Sequence, residues 1–223
     1  MPLDLQSPPL IYLITSGETT DRTTPATEEF SVVLQLVEAA VGAQIDLVQI
    51  REKNLTASVL YQLAASASRI TKGTATKLLI NDRSDIAAAA GADGVHLTTY
   101  SLPTAVVRQT FGADFLIGVS THSLAEATIA CYGGADFAVF GPVFETASKK
   151  EYGEPPGLTG LTSVCSALSP FPVLALGGVS LDSVAECIRA GALGVAAIRM
   201  LQPAAQLADV AAEIRRRFAE EEF

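Results

Sequence analysis

Gln49, Arg51 and Lys53 recur at a spacing of two, which puts three polar groups on one side of an extended chain. Two cations and an amide converging in a low-dielectric cup suit a phosphate or pyrophosphate. The plain alternative is a solvated strand end. Asn81 and Asp82 follow the next apolar run. Asp82 suits Mg²⁺, a hard cation that prefers carboxylate and phosphate oxygens, but either residue is also a good helix N-cap. Ser120, Thr121 and His122 end a further run, and His122 is one of only two histidines, the other being His96. A histidine placed there serves as a general base or a phosphate donor, or it helps to cap the following helix. Thr146, Ser148, Lys149 and Lys150 combine hydroxyls with cations in a polar segment. Such a loop can close over a phosphate and exclude water, and an ordinary surface loop reads the same way. Gly177-Gly178 and Ile198-Arg199 end the last two runs, where glycine backbone N–H groups and an arginine can meet an anion.

These clusters share one kind of position. Each follows a short apolar run: Leu10–Thr15, Ile45–Ile50, Lys77–Ile80, Gly94–Leu97, Phe115–Val119, Asp136–Phe140, Pro172–Leu176 and Gly194–Ile198. Apolar runs of this length between helical patterns read as parallel strands buried on both faces. Eight units predict an α/β fold of the (β/α)₈ TIM-barrel type, one domain over residues 1–223, with its chemistry where the strands end. A doubly wound open sheet is the competing architecture, but no GxGxxG follows the first strand. Helical stripes are expected over Thr27–Val41, with Phe30, Val33, Leu34, Val37 and Val41 inward, and over Thr56–Ile70 from an N-cap at Thr56. Pro103–Phe111, Ser123–Tyr132, Gly157–Leu168, Leu181–Ala190 and Pro203–Phe218 complete the set, with a short alanine-rich piece at Arg83–Ala90. Ser123 with Glu126 forms a capping-box pattern. The long polar segments Ser16–Ala26 and Glu145–Gly157 fall on the catalytic face.

Composition narrows the partners. The chain has 223 residues, 49% hydrophobic, with mean hydropathy +0.35 and net charge −9. That charge disfavours nucleic acid or an anionic membrane, while a few local cations can still draw a small anionic substrate into a cleft. No run approaches the roughly 18 apolar residues of a membrane span, and MPLDLQSPP lacks the pattern of a signal peptide. Cys131, Cys165 and Cys187 lie far apart and show no metal spacing; they read as small core residues of a cytoplasmic protein. Two anion sites side by side, one cationic around strands 2, 3 and 6 and one at strands 7 and 8, suggest a transferase joining two phosphorylated ligands. A homo-oligomer is left open.

Taken in order, VQIREK, LLINDR, ADGVHL, IGVSTHSLAEA, GADFAVFGPVFETASKK, PVLALGGV and AGALGVAAI resemble the thiamine-phosphate synthase/thiazole tautomerase family, from about Ile11 to Met200. The resemblance to the synthase branch implies that a pyrimidine pyrophosphate meets a thiazole phosphate. Pyrophosphate bound to Mg²⁺ leaves, a pyrimidine-methyl carbocation forms, and the thiazole nitrogen attacks it. Gln49, Arg51, Lys53, Asn81 and Lys149 then look like the pyrimidine-pyrophosphate ligands, and Asp82 like the first Mg²⁺ carboxylate. Ser120 looks like the serine that aids the departing pyrophosphate. Thr146, Ser148, Gly178 and Ile198 match positions around the thiazole phosphate. Two positions depart from that branch. Ser101 stands where a second Mg²⁺ carboxylate is expected, and Arg199 where a serine is usual. Both departures are similar to the tautomerase branch, in which the histidine matching His122 moves a proton. Lys53, Asn81 and Asp82, which that branch tends to lose, are retained. The synthase is the leading expectation, with the tautomerase second. A non-catalytic phosphate-ligand barrel and a sugar-phosphate epimerase are the readings outside this chemistry.

Overall fold

The computed structural model describes residues 9–145, 155–202 and 204–221. Its strands are β1 (Leu10–Ile14), β2 (Leu47–Ile50), β3 (Lys77–Asn81), β4 (Gly94–Leu97), β5 (Leu116–Thr121), β6 (Phe137–Phe140), β7 (Val173–Leu176) and β8 (Gly194–Ala197). They pair in parallel, each with the next, and β8 closes on β1. Helices α1 (Glu28–Gly42), α2 (Ala57–Thr71), α3 (Ser84–Ala90), α4 (Thr104–Phe111), α5 (Leu124–Tyr132), α6 (Gly157–Leu168), α7 (Val184–Arg189) and α8 (Leu207–Glu221) alternate with them. This is the (β/α)₈ barrel expected from the eight apolar runs.

Alternation along the strands divides the core into two parts. Leu10, Tyr12, Ile14, Leu47, Leu79, Phe137, Val139, Leu174 and Ala196 fill the barrel interior. Their neighbours one residue away, including Ile11, Leu13, Val48, Leu78, Ile80 and Val195, pack outward against the helices. Both sets are apolar, so the strands read as continuous runs rather than alternating ones.

Acidic residues staple the N-terminal face of the barrel. Asp46, Asp93 and Asp136 each precede an even-numbered strand and accept a backbone N–H from the preceding odd one: Ile11 at 2.8 Å, Leu78 at 2.9 Å and Ile117 at 2.6 Å. Lys77 adds an ion pair to Asp93, and Arg108 one to Asp136. Leu193 stands at the corresponding place before β8. Leu10 N–H there donates to the Leu193 backbone carbonyl at 2.9 Å.

The helices correct the expectations in detail. The buried stripe of α1 is Phe30, Val33, Leu36, Val37 and Ala40; Leu34 packs partly buried against this core and Val41 is half-buried, so both lie at the edge of the stripe. Thr56 caps α2 through Val59 N–H as expected. The capping box at α5 is half-formed. Ser123 Oγ accepts from Glu126 N–H, but the Glu126 carboxylate reaches His122 N–H at 2.6 Å rather than Ser123. The stretch before α7 begins as a 3₁₀ turn at Leu181–Ser183, and another at Ala204–Gln206 precedes α8. Cys165 and Cys187 are buried, and burial pushes both thiols up to about 12. Cys131 is half-buried, and all three are free.

Candidate active site

The C-terminal mouth of the barrel is built from residues of the inward-facing row. On β2 that row runs Gln49, Arg51, with Lys53 in the turn beyond. On β3 it ends at Asn81, on β4 it holds His96, and on β5 it ends at Ser120. Strand parity therefore carries these side chains to one place, and electrostatics agree. Lys53 is lowered from the usual lysine value, first by the Arg51 charge and then by burial, with Asp82 opposing. Arg51 also acts on His96. Two cations held against each other beside a single carboxylate make a local field that favours an anion with more than one charge.

Asp82 sits one residue past β3 at φ 63°, in the left-handed region that Asp tolerates better than most residues. Its N–H donates to the His96 carbonyl at 2.8 Å. The capping alternative is not used, because the N-cap of α3 is Arg83, which makes no side-chain cap bond. Arg83 instead grips Asp85 with one guanidinium edge, Nε and Nη2 each donating to a carboxylate oxygen. Ser101 is committed locally. Its hydroxyl accepts from Thr98 N–H at 2.8 Å and lies 3.1 Å from the Thr98 hydroxyl. Among the described residues no group of three His, Cys, Asp or Glu side chains gathers to hold a metal.

Beneath the mouth lies a buried polar chain. Gln49 Nε2 donates to the Tyr12 hydroxyl at 2.8 Å. That hydroxyl is 3.1 Å from His96 Nδ1, and His96 Nε2 is 2.8 Å from Ser120 Oγ. His96 is 2% exposed, and burial, assisted by Arg51, lowers its pKa from 6.5 to about 3. Burial likewise raises Tyr12 far above the usual phenol value. The Tyr12 and Phe137 rings meet edge to face at 5.6 Å. Gly118 makes room for this group, since a Cβ there would stand 2.4 Å from the Phe137 ring and 2.8 Å from His96 Nδ1. Sequence reasoning missed Tyr12 and left His96 without a role. The signal was present in parity: His96 lies two residues after Gly94 and two before Thr98, on the inner row of its strand.

Glu52 is a second omission. It lies between Arg51 and Lys53 and so points the other way. It is 3% exposed, and its carboxylate accepts from the Thr15 hydroxyl, Gly17 N–H, Thr19 N–H and the Thr19 hydroxyl. This clamp fixes the loop after β1 beside Arg51, whose Nη1 would lie 3.6 Å from a Cβ on Gly17.

On the opposite strands, a cavity of about 350 Å³ opens among Leu176, Gly177, Gly178, Ile198, Arg199 and Met200. Arg199 opens a 3₁₀ turn after β8 and is exposed. The glycines have a packing reason as well as a ligand one. A Cβ on Gly177 would stand 2.7 Å from Pro142, and one on Gly178 2.6 Å from Phe144. The segment after β6 lies directly on them, with Val143 N–H and Phe144 N–H donating to Leu176 and Gly177 carbonyls. His122 is set apart from the inner row. Its ring is 3.2 Å from Glu126 at the start of α5, with the side chain 42% exposed. Thr146, Ser148 and Lys149, with Lys150, lie outside the described residues.

Comparison with known proteins places this architecture. The family model described as thiamine monophosphate synthase matches residues 11–201. A relative from Geobacter sulfurreducens is 47% identical over 166 residues, covering 74% of this chain and 78% of its own. The thiamine-phosphate synthase of Moorella thermoacetica is 37% identical over 182 residues, covering 82% of this chain and 86% of that protein. The solved structure of thiamine phosphate pyrophosphorylase from Pyrococcus furiosus superposes with TM-score 0.78 at 27% identity, over 95% of this chain and 96% of that one. With family model, sequence relatives and fold in agreement, the chain belongs to the thiamine monophosphate synthase family.

Proposed function

We propose that this protein joins 4-amino-2-methyl-5-hydroxymethylpyrimidine pyrophosphate to hydroxyethylthiazole phosphate, releasing pyrophosphate. The observation that carries the reading is the Arg51–Lys53 cation pair beside Asp82, at the mouth where Ser120 also ends the inner row of its strand. Arg51 and Lys53 bind the pyrophosphate and relieve their mutual repulsion in doing so. Asn81 supplies a neutral amide there. Lys149, Thr146 and Ser148 are assigned to the phosphates by the family resemblance alone. The β7–β8 cavity takes the thiazole phosphate, with Gly178 and Ile198 offering backbone groups and Arg199 a charge. The C–O bond between the pyrimidine methylene and pyrophosphate breaks, its electron pair leaving with the pyrophosphate. The thiazole nitrogen lone pair then closes the new C–N bond. Ser120 donates a hydrogen bond to the departing oxygen, where negative charge grows.

Mg²⁺ belongs to the proposal as a shared ion. One carboxylate suffices where substrate phosphates complete the coordination, so the residues fit an ion held by Asp82 together with pyrophosphate. It would neutralise charge on the leaving group. Ser101, spent on the turn at Thr98, adds no charge, and binding is weaker for it. The protein's partners are then small phosphorylated substrates, in the cytoplasm. No helix among the described residues is long and apolar enough to cross a membrane. The tautomerase reading would need His122, whose ring is engaged with Glu126, and it makes no use of Asp82. The test is to supply purified protein with both substrates, with and without Mg²⁺. Thiamine phosphate should form, and Asp82→Ala should lower its rate by about 10²-fold or more. Activity only as a tautomerase, abolished by His122→Ala, would overturn the assignment.

A further inference from the structure

We propose that His96 is a positioning residue: its Nε2–H donates to Ser120 Oγ, so that the Ser120 proton is directed into the barrel mouth. The inference rests on the synthase reading for what lies in that mouth, and the hydrogen-bond polarity on the Gln49 amide, which turns Nε2 toward Tyr12. Gln49 Nε2 can only donate, and it donates to the Tyr12 hydroxyl oxygen. Tyr12 is fully buried, and among the described residues the one other partner of its hydroxyl is His96 Nδ1. A buried hydroxyl proton needs an acceptor, so it goes to Nδ1. A neutral imidazole accepting at Nδ1 carries its proton on Nε2. Nε2 lies 2.8 Å from Ser120 Oγ and must be the donor there. Ser120 therefore accepts from below, and its own proton is left for a group above.

The low pKa of His96 fits this role, since an imidazolium would donate from both nitrogens and could not receive the Tyr12 proton. The consequence for chemistry is orientation. A freely rotating hydroxyl would spend part of its time donating downward or sideways. Here an oxyanion leaving the pyrimidine methylene meets a donor already aimed at it, so no reorientation is needed as charge develops.

Two kinds of measurement test the proposal. Spectra of protein carrying ¹⁵N-histidine report the tautomer directly, and need no activity. Protonated Nε2 with unprotonated Nδ1 is expected for His96, and a protonated Nδ1 overturns the proposal. The second is kinetic and uses two isosteres. His96→Gln keeps a donor at the Nε2 position, so it should hold kcat within about tenfold of wild type. His96→Asn keeps an acceptor near Nδ1 but does not reach Ser120. It should lower kcat by about 10²-fold or more, close to the loss in Ser120→Ala, with KM for either substrate little changed. The double variant His96→Asn/Ser120→Ala should be no slower than Ser120→Ala, because one hydrogen bond is being removed twice. Multiplying losses, or a fully active His96→Asn, overturn the positioning role. A wild-type protein that makes no thiamine phosphate overturns the synthase reading instead, and the tautomer spectrum then still decides the polarity.

Discussion

His96 should make the fold sensitive to mild acid in a way that a single substitution removes. In the folded chain burial holds its pKa near 3, against 6.5 for the ordinary group. The unfolded chain binds a proton below that ordinary value, whereas the folded chain does not until far lower. Stability from this site is therefore complete above about pH 6.5 and is lost as the pH falls toward the folded value. The slope while only the unfolded state is protonated is about 1.4 kcal/mol per pH unit. Integrated from pH 7 to pH 5 it amounts to about 2 kcal/mol, a sizeable share of the roughly 5–15 kcal/mol that holds a domain together. Urea unfolding of wild type and of His96→Gln at both pH values gives the test. Carboxylates and surface groups titrate alike in the two proteins and cancel in the double difference. Wild type should lose about 2 kcal/mol more than the variant between those conditions. Equal losses would mean that the imidazole is solvated or already charged in the native state, and would refute the buried neutral histidine.

Three other substitutions probe separate parts of the structure. Gly118→Ala should destabilise the fold by about 1–3 kcal/mol, because its methyl would meet the Phe137 ring and His96 Nδ1; an unchanged melting temperature would contradict the packing. Asp136→Ala strands Ile117 N–H and releases one arm of Arg108, and chemical denaturation should show a loss of about 1–3 kcal/mol with activity retained in the surviving folded protein. Ser101→Asp should supply a second anionic oxygen for the proposed ion and raise the synthase rate when Mg²⁺ is limiting; an unaltered Mg²⁺ dependence would argue against placing the ion there.

The barrel was legible because eight apolar runs with polar ends admit few other arrangements, and the strand boundaries moved by no more than two residues at any end. The grouping of Gln49, Arg51, Asn81 and Ser120 was legible for a similar reason, since parity and strand direction are properties of the chain. What stayed hidden depended on partners distant in sequence. Glu52 looked like one charge among three until the loop after β1 folded down on it. Tyr12 looked like any aromatic in an apolar run, and its partners are 37 and 84 residues away. His122 drew attention because it follows a strand and shares the parity of Ser120, but β5 ends at Thr121, so strand alternation no longer sets its direction. Its local partner Glu126, four residues on, also diverts the capping box.

The polar chain inside the barrel bears on what the fold is for. Gln49, Tyr12 and His96 occupy inner-row positions of a core otherwise filled by Leu, Ile, Val, Phe and Ala. Apolar side chains of similar volume there would be at least as stabilising, because desolvating polar groups consumes most of what their hydrogen bonds return. Stability alone thus gives no reason for this chain of contacts. Its geometry does: it is continuous, it runs from β2 through β1 and β4 to β5, and it emerges at one hydroxyl in the mouth. A network satisfied at every step and anchored at its buried end fixes one orientation at its exposed end. The residues below the mouth thereby set the direction of the Ser120 hydroxyl at the place where the leaving group must be met.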